Sequence, residues 1–573
     1  MPKADFILLH APAIYDFRDG DVAFGATSNV IPSSGVFEMY PAGWISMAGH
    51  LGRRGIRVRI VNLAYRMMRS RKFSVEDFIR KNRPRIAFGI DLHWLPHVSG
   101  SIEVAGICKK LHPDTPVIMG GLSASHFHED LLRDYPVDFV VRGDCTEKPL
   151  EQLLRSIRSG RKPENIPNVS WKNETGKIVS NPLSHVPDDL SEMVLDYREM
   201  MRMVIRYRDI FSVVPFSGWL KYPIAIAVSV HGCRHACKTC GGSARFYHRT
   251  MCRKGVALRP PGKLARDLAR IKRNMNGPIF LLGDLNQGGA DYVRECFREI
   301  GRRKIRNAVV LELFKPPGEE FFKLAHEALP NWNMQISPES HDEKVRRAFG
   351  RPYGNGEFVE TLDCAHRYGA GRIDQFHMIG LPHQDAESVR ETVRWCGELL
   401  ERFGKHKVLH PFIGPLAPFV DPGSEVWDNP KKFGYTMKFK TLEAHRLAMK
   451  SPSWKYMINY ETEWMTCGEI VESAYESVLE LEKIKAKHGV ITAGQLAETE
   501  KAINIEKKLM DEVDGIMDIK DESERENALA DFRARRRSEN ILSIADKSEL
   551  EWPSGLLHFN PLRALILGLE EIL

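Results

Sequence analysis

The chain has 573 residues, 43% hydrophobic and 27% charged, with a net charge of +7 at pH 7. That length carries three or four domains, and so mild and dispersed a basicity gives no reason to expect a nucleic-acid partner. Ten cysteines in this length exclude a disulfide-built scaffold. Outside one trio they stand singly, as at Cys108, Cys296 and Cys396, and read as small buried hydrophobes in a reducing cytosol.

The N-terminus, MPKADFILLHAPAIYDF, has a short apolar run but no long apolar core or cleavage site, so a cytoplasmic location is expected. No stretch approaches the roughly 20 apolar residues of a membrane span. Over 1–160, short apolar runs alternate with amphipathic helices. FILLHAP, VRIVNLA, RIAFGIDLHW, PVIMGGLSAS and VDFVVRGD read as strands; PAGWISMAGHLGRRG, SGSIEVAGICKKLH and HFHEDLLRDY read as helices. Alternation of this kind predicts an α/β, doubly wound parallel sheet, with ligands beyond the carboxyl ends of its strands. GGLSAS (120–125) and RGDCTEKP (142–149) fall at such ends. Gly120, Gly121 and Gly143 permit close backbone approach, and Ser123 and Ser125 offer hydrogen bonds. On pattern alone the ligand is left open among cobalamin, a nucleotide, a flavin or none.

A connector is expected over 161–215 and a second α/β unit over 216–430. There YPIAIAVSVHG runs into Cys233-x3-Cys237-x2-Cys240. Three thiolates in so short a loop can hold three corners of an iron–sulfur cluster and leave one iron open. The alternative, zinc completed by His231, His235 or His248, lacks the second Cys-x-x-Cys half usual for zinc.

This trio resembles the signature of radical S-adenosylmethionine (radical SAM) enzymes, and downstream segments extend the resemblance in order. GPIFLLGDLNQGG carries Gly283-Asp284, similar to the family's Gly-Gly-acidic motif for the methionine amino group. VVLELFKPP carries Glu312. MQISPESHDEKVRRAFGRP supplies Ser337, Glu339 and Ser340 near the ribose, with Arg346 or Arg347 for the carboxylate. IDQFHMIGLPHQDAES supplies Gly380-Leu381-Pro382 near adenine. The resemblance implies a partial (β/α) barrel with its site at the carboxyl ends of the strands, holding a [4Fe–4S] cluster and S-adenosylmethionine. Two positions depart from the pattern: Thr239 stands where an aromatic residue is common, and the glycine motif is shortened.

A doubly wound domain ahead of such a barrel resembles the cobalamin-binding class of the superfamily, class B methylase-like. This implies that GGLSAS and RGDCTEKP hold cobalamin. Asp91-Leu92-His93-Trp94-Leu95-Pro96 resembles the Asp-x-His-x-x-Gly motif of other cobalamin proteins without its glycine, and follows the third strand rather than the first. His93 or Trp94 is expected to cover the lower face of cobalt, without a strong His–Co bond. PLAPFVDPGSEVWDNPKKFGY either lines a substrate cavity or only leads out of the barrel. The remainder, 431–573, reads as mainly helical with solvated charged faces such as ESVLELEKIKAKHG. Arg533, Arg535, Arg536 and Arg537 are an exposed run or a contact for an acidic partner, and PLRALILGLEEIL is expected to dock on the body.

The class implies methylation of an unactivated carbon: a 5′-deoxyadenosyl radical takes a substrate hydrogen, and cobalamin delivers a methyl group from a second S-adenosylmethionine. It also implies an electron donor such as ferredoxin or flavodoxin. The substrate is left open among small molecule, lipid and peptide. The alternatives are a ring-forming or carbon–carbon-forming enzyme on lipid or tetrapyrrole, and a cofactor-binding sensor.

Overall fold

A computed structural model of the chain describes residues 2–19, 36–403, 407–415, 419–536 and 547–552. Five apolar runs form parallel strands in the first domain: β1 (Phe6–His10), β2 (Val58–Asn62), β3 (Ala87–Asp91), β4 (Val117–Gly120) and β5 (Phe139–Val141). The first three are buried along their whole length, as a sheet covered by helices on both faces requires. The sheet order is β2-β1-β3-β4-β5, continued by antiparallel β6 (Val169–Lys172) and β7 (Ile178–Ser180). The sheet thus runs past residue 160, into the stretch read as a connector. The order reverses between β1 and β3, which places the ligand crevice of a doubly wound fold at their carboxyl ends.

The second domain begins with β8 (Ala225–Val228) and a short antiparallel pair, β9 (Val230–His231) with β10 (Ala257–Leu258). It continues with β11 (Ile279–Leu282), β12 (Val309–Leu313), β13 (Trp332–Glu339), β14 (Ile373–Ile379) and β15 (Leu409–Pro415). Six strands pair in the order β15-β14-β13-β12-β11-β8, all parallel. This is the expected partial barrel. Its sixth strand, LHPFIGP, has no counterpart in the sequence reading, because two prolines argue against a strand. Both are tolerated on β15 because it is an edge strand, where a missing N–H breaks no ladder.

Beyond the barrel, a small antiparallel pair, β16 (Tyr435–Met437) with β17 (Tyr460–Thr462), precedes helices at Cys467–Lys487, Ala493–Met517 and Glu522–Arg536. Thr466 and Glu469 form a reciprocal capping box that starts the first of them. Its charged face is not simply solvated. Lys485 is fully buried and bonds Glu482 Oε1 at 2.7 Å and Glu549 Oε2 at 2.6 Å, because the segment 547–552 returns across it. Arg533 donates to the Lys450 carbonyl and Arg535 pairs with Glu512, so these two arginines serve the chain itself. Arg537 and the terminal PLRALILGLEEIL lie outside the described residues. Among the described residues no helix is long and apolar enough to cross a membrane.

Candidate functional site

The cysteine loop leaves β9 at Gly232, whose φ of +85° and whose 2.8 Å gap between an added Cβ and the Gly255 carbonyl oxygen both require glycine. The three thiols are free and lie in one another's field. Burial pushes the Cys233 thiol up to about 11, and burial together with Cys237 raises Cys240 well above its ordinary value. Their mutual repulsion as thiolates is relieved by a cationic centre. Backbone amides already point at two sulfurs: His235 N–H donates to Cys233 Sγ at 3.4 Å and Gly242 N–H to Cys240 Sγ at 3.2 Å. Such hydrogen bonds accompany iron–sulfur ligation.

The surroundings of the thiols argue against zinc, which needs a fourth ligand beside them. None of the three candidate histidines joins them. His231 Nδ1 sits 3.4 Å from Cys145 Sγ, the His235 ring packs edge-on to Phe314, and His248 is exposed.

The barrel's exit segment grips this loop from behind. Asp421 Oδ2 accepts from Gly241 N–H at 2.7 Å, Val426 N–H donates to the Lys238 carbonyl, and Lys238 pairs with Glu425 at 2.7 Å. Thr239, in place of an aromatic residue, is buried and its carbonyl accepts from Asp421 N–H. The described part of the exit segment therefore clamps the cysteine loop.

Above the barrel strands, Gly283 has a φ of +99° and donates its N–H to Glu312 Oε2 at 2.7 Å. Burial raises the Glu312 carboxyl to about 7. Asp284 is fully buried, and its carboxylate accepts from Asn286 N–H, Asn286 Nδ2 and Phe314 N–H at 2.8–3.0 Å. It shapes the turn. A bulge between Ile336 and Glu339 re-aims the end of β13, so that Glu339, at φ +70°, turns toward Arg351 at 3.3 Å. Ser337 stands one turn of the pleat below, and the buried Ser340 hydroxyl accepts from Asp342 N–H. At the end of β14, Gly380, with Pro382 two residues on, is held by Gln384, whose Oε1 accepts from Gly380 and Leu381 N–H. Tyr435 donates to the Gly380 carbonyl at 2.6 Å.

The arginine assignment needs correction. Arg346 is fully buried and spends its guanidinium on the carbonyls of Ser340, His341 and Tyr353 and on Asn355; Arg347 is exposed. The cation beside the site is Arg351, which pairs with Glu339 and lies in the field of Cys237 and Cys233. The Gly-Arg-Pro following the helix was the available signal. Three buried polar atoms around this region have no partner among the described residues: Glu339 Oε2, Arg351 Nε and Gln287 Nε2. Buried groups of this kind are costly unless something polar meets them, which fits a zwitterionic, hydroxyl-bearing ligand such as S-adenosylmethionine.

At the crevice of the first domain, three loops interlock. Gly121, at φ +119°, lies so close that an added Cβ would sit 2.6 Å from His93 Cα. Ser123 donates through both N–H and Oγ to the His93 carbonyl, and Ser125 Oγ donates to the Gly121 carbonyl while accepting from Gly143 N–H. Gly120 accepts from Leu92 N–H. The glycines and serines thus tie the strand ends together, and His93 and Trp94 rise half-buried from them, rings 4.8 Å apart. Burial lowers His93 to about 4, so its imidazole is neutral. Deeper in the crevice, His10 Nδ1 bonds Asp91 at 2.9 Å, and His10 and His97 share the Phe37 carbonyl.

The two sites meet. Asp144, one residue past Gly143, takes both Arg253 Nε at 2.7 Å and Nη2 at 3.1 Å. Cys145 touches His231, two residues before Cys233. Asp144, Cys145 and His231 lie within 4.8 Å of one another, but the Arg253 guanidinium already neutralises the carboxylate, so this group is a domain contact and not a cation site.

Residues 30–153 match the model of the B12 binding domain, and residues 228–396 match that of the radical SAM superfamily. The chain is 26% identical over 397 residues to hopanoid C-3 methylase of Methylococcus capsulatus, covering 68% of each. It is 20% identical over 353 residues to the anaerobic magnesium-protoporphyrin IX monomethyl ester cyclase of Rubrivivax gelatinosus, covering 57% of this chain and 56% of the cyclase. Among solved structures, the fold is similar to the radical S-adenosylmethionine methyltransferase TsrM from Kitasatospora setae with cobalamin and [4Fe–4S] cluster bound. There the TM-score is 0.54 at 15% identity, over 76% of this chain and 81% of that one. It is also similar to the cobalamin-dependent enzyme OxsB with aqua-cobalamin and S-adenosylmethionine bound, at TM-score 0.53 and 13% identity, over 100% of this chain and 79% of that one. With a B12-binding domain packed against a three-cysteine (β/α) barrel, the chain combines a B12-binding domain and a radical SAM domain, the pairing seen in the cobalamin-bound structures whose fold it resembles.

Proposed function

We propose that this chain is a cobalamin-dependent radical SAM methylase that places a methyl group on an unactivated carbon. The observation that carries this reading is the contact of the two cofactor regions: the loop after β5 touches His231, two residues from the first cluster cysteine, at 3.4 Å. When bound, the cluster, S-adenosylmethionine and cobalamin supply an electron, a 5′-deoxyadenosyl radical and a methyl group. Cys233, Cys237 and Cys240 hold the cluster by three corners. The Gly283 turn and the Glu339–Arg351 pair face the amino-acid end and ribose of S-adenosylmethionine, with Glu312 behind Gly283 and Ser337 and Ser340 shaping the strand end. The Gly380–Pro382 turn, fixed by Gln384 and Tyr435, receives the adenine. His93 and Trp94 form the floor under cobalamin, on the platform built by Gly120, Gly121, Ser123, Ser125 and Gly143. The domain limits we infer move the first boundary from 160 to about 180, because β6 and β7 belong to the first sheet, and keep 216–430 for the barrel and 431–573 for the helical remainder, with the connector shortened to what lies between.

Ten unpaired cysteines suit a reducing cytoplasm, where ferredoxin or flavodoxin serves as electron donor. The hopanoid methylase and the porphyrin-ester cyclase among the relatives frame the choice of chemistry. Each methylation should yield 5′-deoxyadenosine and S-adenosylhomocysteine in about equal amounts, with a deuterated methyl group from S-adenosylmethionine recovered in the product. 5′-Deoxyadenosine with the true substrate but no S-adenosylhomocysteine would replace this reading with ring formation, and neither product would replace it with a sensor.

A further inference from the structure

The positive charge of the chain is concentrated on one edge of the first sheet, not dispersed as composition alone indicates. Residues 53–85 hold twelve arginines and lysines against two acidic residues, Glu76 and Asp77, a net +10 in a chain whose total is +7. This stretch spans β2, the strand at the end of the sheet order, with the helices Leu63–Arg69 and Val75–Lys81 that follow it. Carboxylates from elsewhere take up Arg53, Arg54, Arg59, Arg66 and Arg85. Past the carboxyl end of β2 the charge is left over. Arg69 and Lys72 are exposed and pair with no carboxylate among the described residues; Arg71, between them in the chain, and Arg208, at the head of the facing loop, are exposed as well.

That facing loop presents an apolar tip. The helix Tyr197–Tyr207 ends at Arg208, whose φ of +50° turns the chain. Asp209 is then clamped by Arg59 at 3.0 Å and Arg66 at 2.5 Å, and the Ser212 carbonyl accepts from Asn62 N–H at the end of β2. Between these two anchors Ile210 and Phe211 stand 41% and 37% exposed; among the described residues Leu447 is the only other large apolar side chain left so open. The Arg69 guanidinium lies 4.0 Å from the centroid of the Phe211 ring, so cation and apolar tip share one surface. Arg18 donates to the carbonyls of Ser70, Arg71 and Phe73 at 2.7–3.4 Å, which fixes the turn that carries Arg71 and Lys72.

We infer that this corner docks the enzyme on an anionic phospholipid surface, with Ile210 and Phe211 entering the headgroup layer and the four cations meeting lipid phosphates. Charge alone suits any polyanion. The adjacent apolar pair selects among them, because it gains only where apolar surface is removed from water. A nucleic-acid backbone offers Ile210 nothing, whereas the acyl region beneath lipid phosphates takes both side chains. A short apolar anchor and a basic cluster are each weak, and together they hold a protein reversibly at a bilayer surface. The inference goes beyond the methylase reading and does not depend on it.

The test is sedimentation of the full-length anaerobic holoenzyme with vesicles of phosphatidylcholine, alone or mixed in equal parts with phosphatidylglycerol. Binding should require phosphatidylglycerol and weaken as salt is raised. The double variant Arg69→Gln/Lys72→Gln should weaken it at least about tenfold. Ile210→Ser/Phe211→Ser should also weaken it at least about tenfold, with iron and cobalamin content retained. Where the serine variant does not fold, Phe211→Trp should add an emission, relative to the wild type, that brominated lipid quenches in the anionic vesicles. No sedimentation with anionic vesicles, undiminished sedimentation of the serine variant, or an added emission that brominated lipid leaves unquenched overturns the lipid surface. Binding to a DNA duplex that displaces the vesicles and is unchanged in the serine variant overturns it in favour of nucleic acid.

Discussion

Replacing Arg253 by alanine should separate the two cofactor regions. The Arg253 and Asp144 side chains are only 3% and 4% exposed, and the guanidinium spans both carboxylate oxygens while also donating to the Pro187 carbonyl at 2.8 Å. Removing one partner of such a pair leaves the other charge buried without compensation, which costs about 3–5 kcal/mol. The attraction itself is a smaller quantity, because desolvation has already offset much of it. Arg253→Ala should therefore be more damaging than the double variant Asp144→Ala/Arg253→Ala, in which no charge is stranded. Urea unfolding of the wild type, both single variants and the double variant gives the coupling energy, and absorbance after gel filtration gives the cobalamin retained. We expect a coupling above about 1.5 kcal/mol and loss of cobalamin in Arg253→Ala, partly restored in the double variant. Additive effects of the two substitutions within about 0.5 kcal/mol would refute the argument that this pair joins the domains.

Single substitutions Cys233→Ala, Cys237→Ala and Cys240→Ala should each lose the iron and sulfide of the anaerobically reconstituted centre, checked by iron analysis and visible absorption; full iron in the triple variant would rule the trio out as ligands. His93→Ala should keep cobalamin, and the Co(II) paramagnetic resonance of the wild type should already lack nitrogen superhyperfine lines, because among the described residues the imidazole has no hydrogen-bond partner to orient it as a ligand. Glu506 is buried against Tyr475 OH at 3.0 Å, and burial raises its carboxyl to about 8. Its ordinary value in the unfolded chain is near 4.3, so the folded state holds the proton more tightly, and this contribution, full below about pH 4, is lost as pH rises toward 8. Glu506→Gln should leave stability at pH 4 nearly unchanged and raise it at pH 8 by on the order of 4 kcal/mol, measured by denaturant unfolding at the two values.

The chain-local features were legible from residues alone. FILLHAP through VDFVVRGD are apolar runs bounded by turn residues, and they form the five parallel strands; Cys233, Cys237 and Cys240 share a loop because their spacing forces them to. LHPFIGP was not legible, since its two prolines are acceptable only on an edge, and being an edge is a property of the assembled sheet. Residues that differ little in sequence also received opposite fates. Arg346 was drawn inward to satisfy carbonyls of its own turn, while Arg351, five residues on, came to rest beside Glu339 and the cysteines. Lys485 and Glu482 look like an ordinary exposed helix pair until Glu549 returns from the far end of the chain and buries them. His93 follows the third strand, and only the β2-β1-β3 order makes that strand's end the crevice wall. Chain-local spacing determined which groups could share a loop. Burial, pairing and strand neighbours depend on contacts between residues hundreds of positions apart, and those existed only once the two domains and the returning strap had packed together.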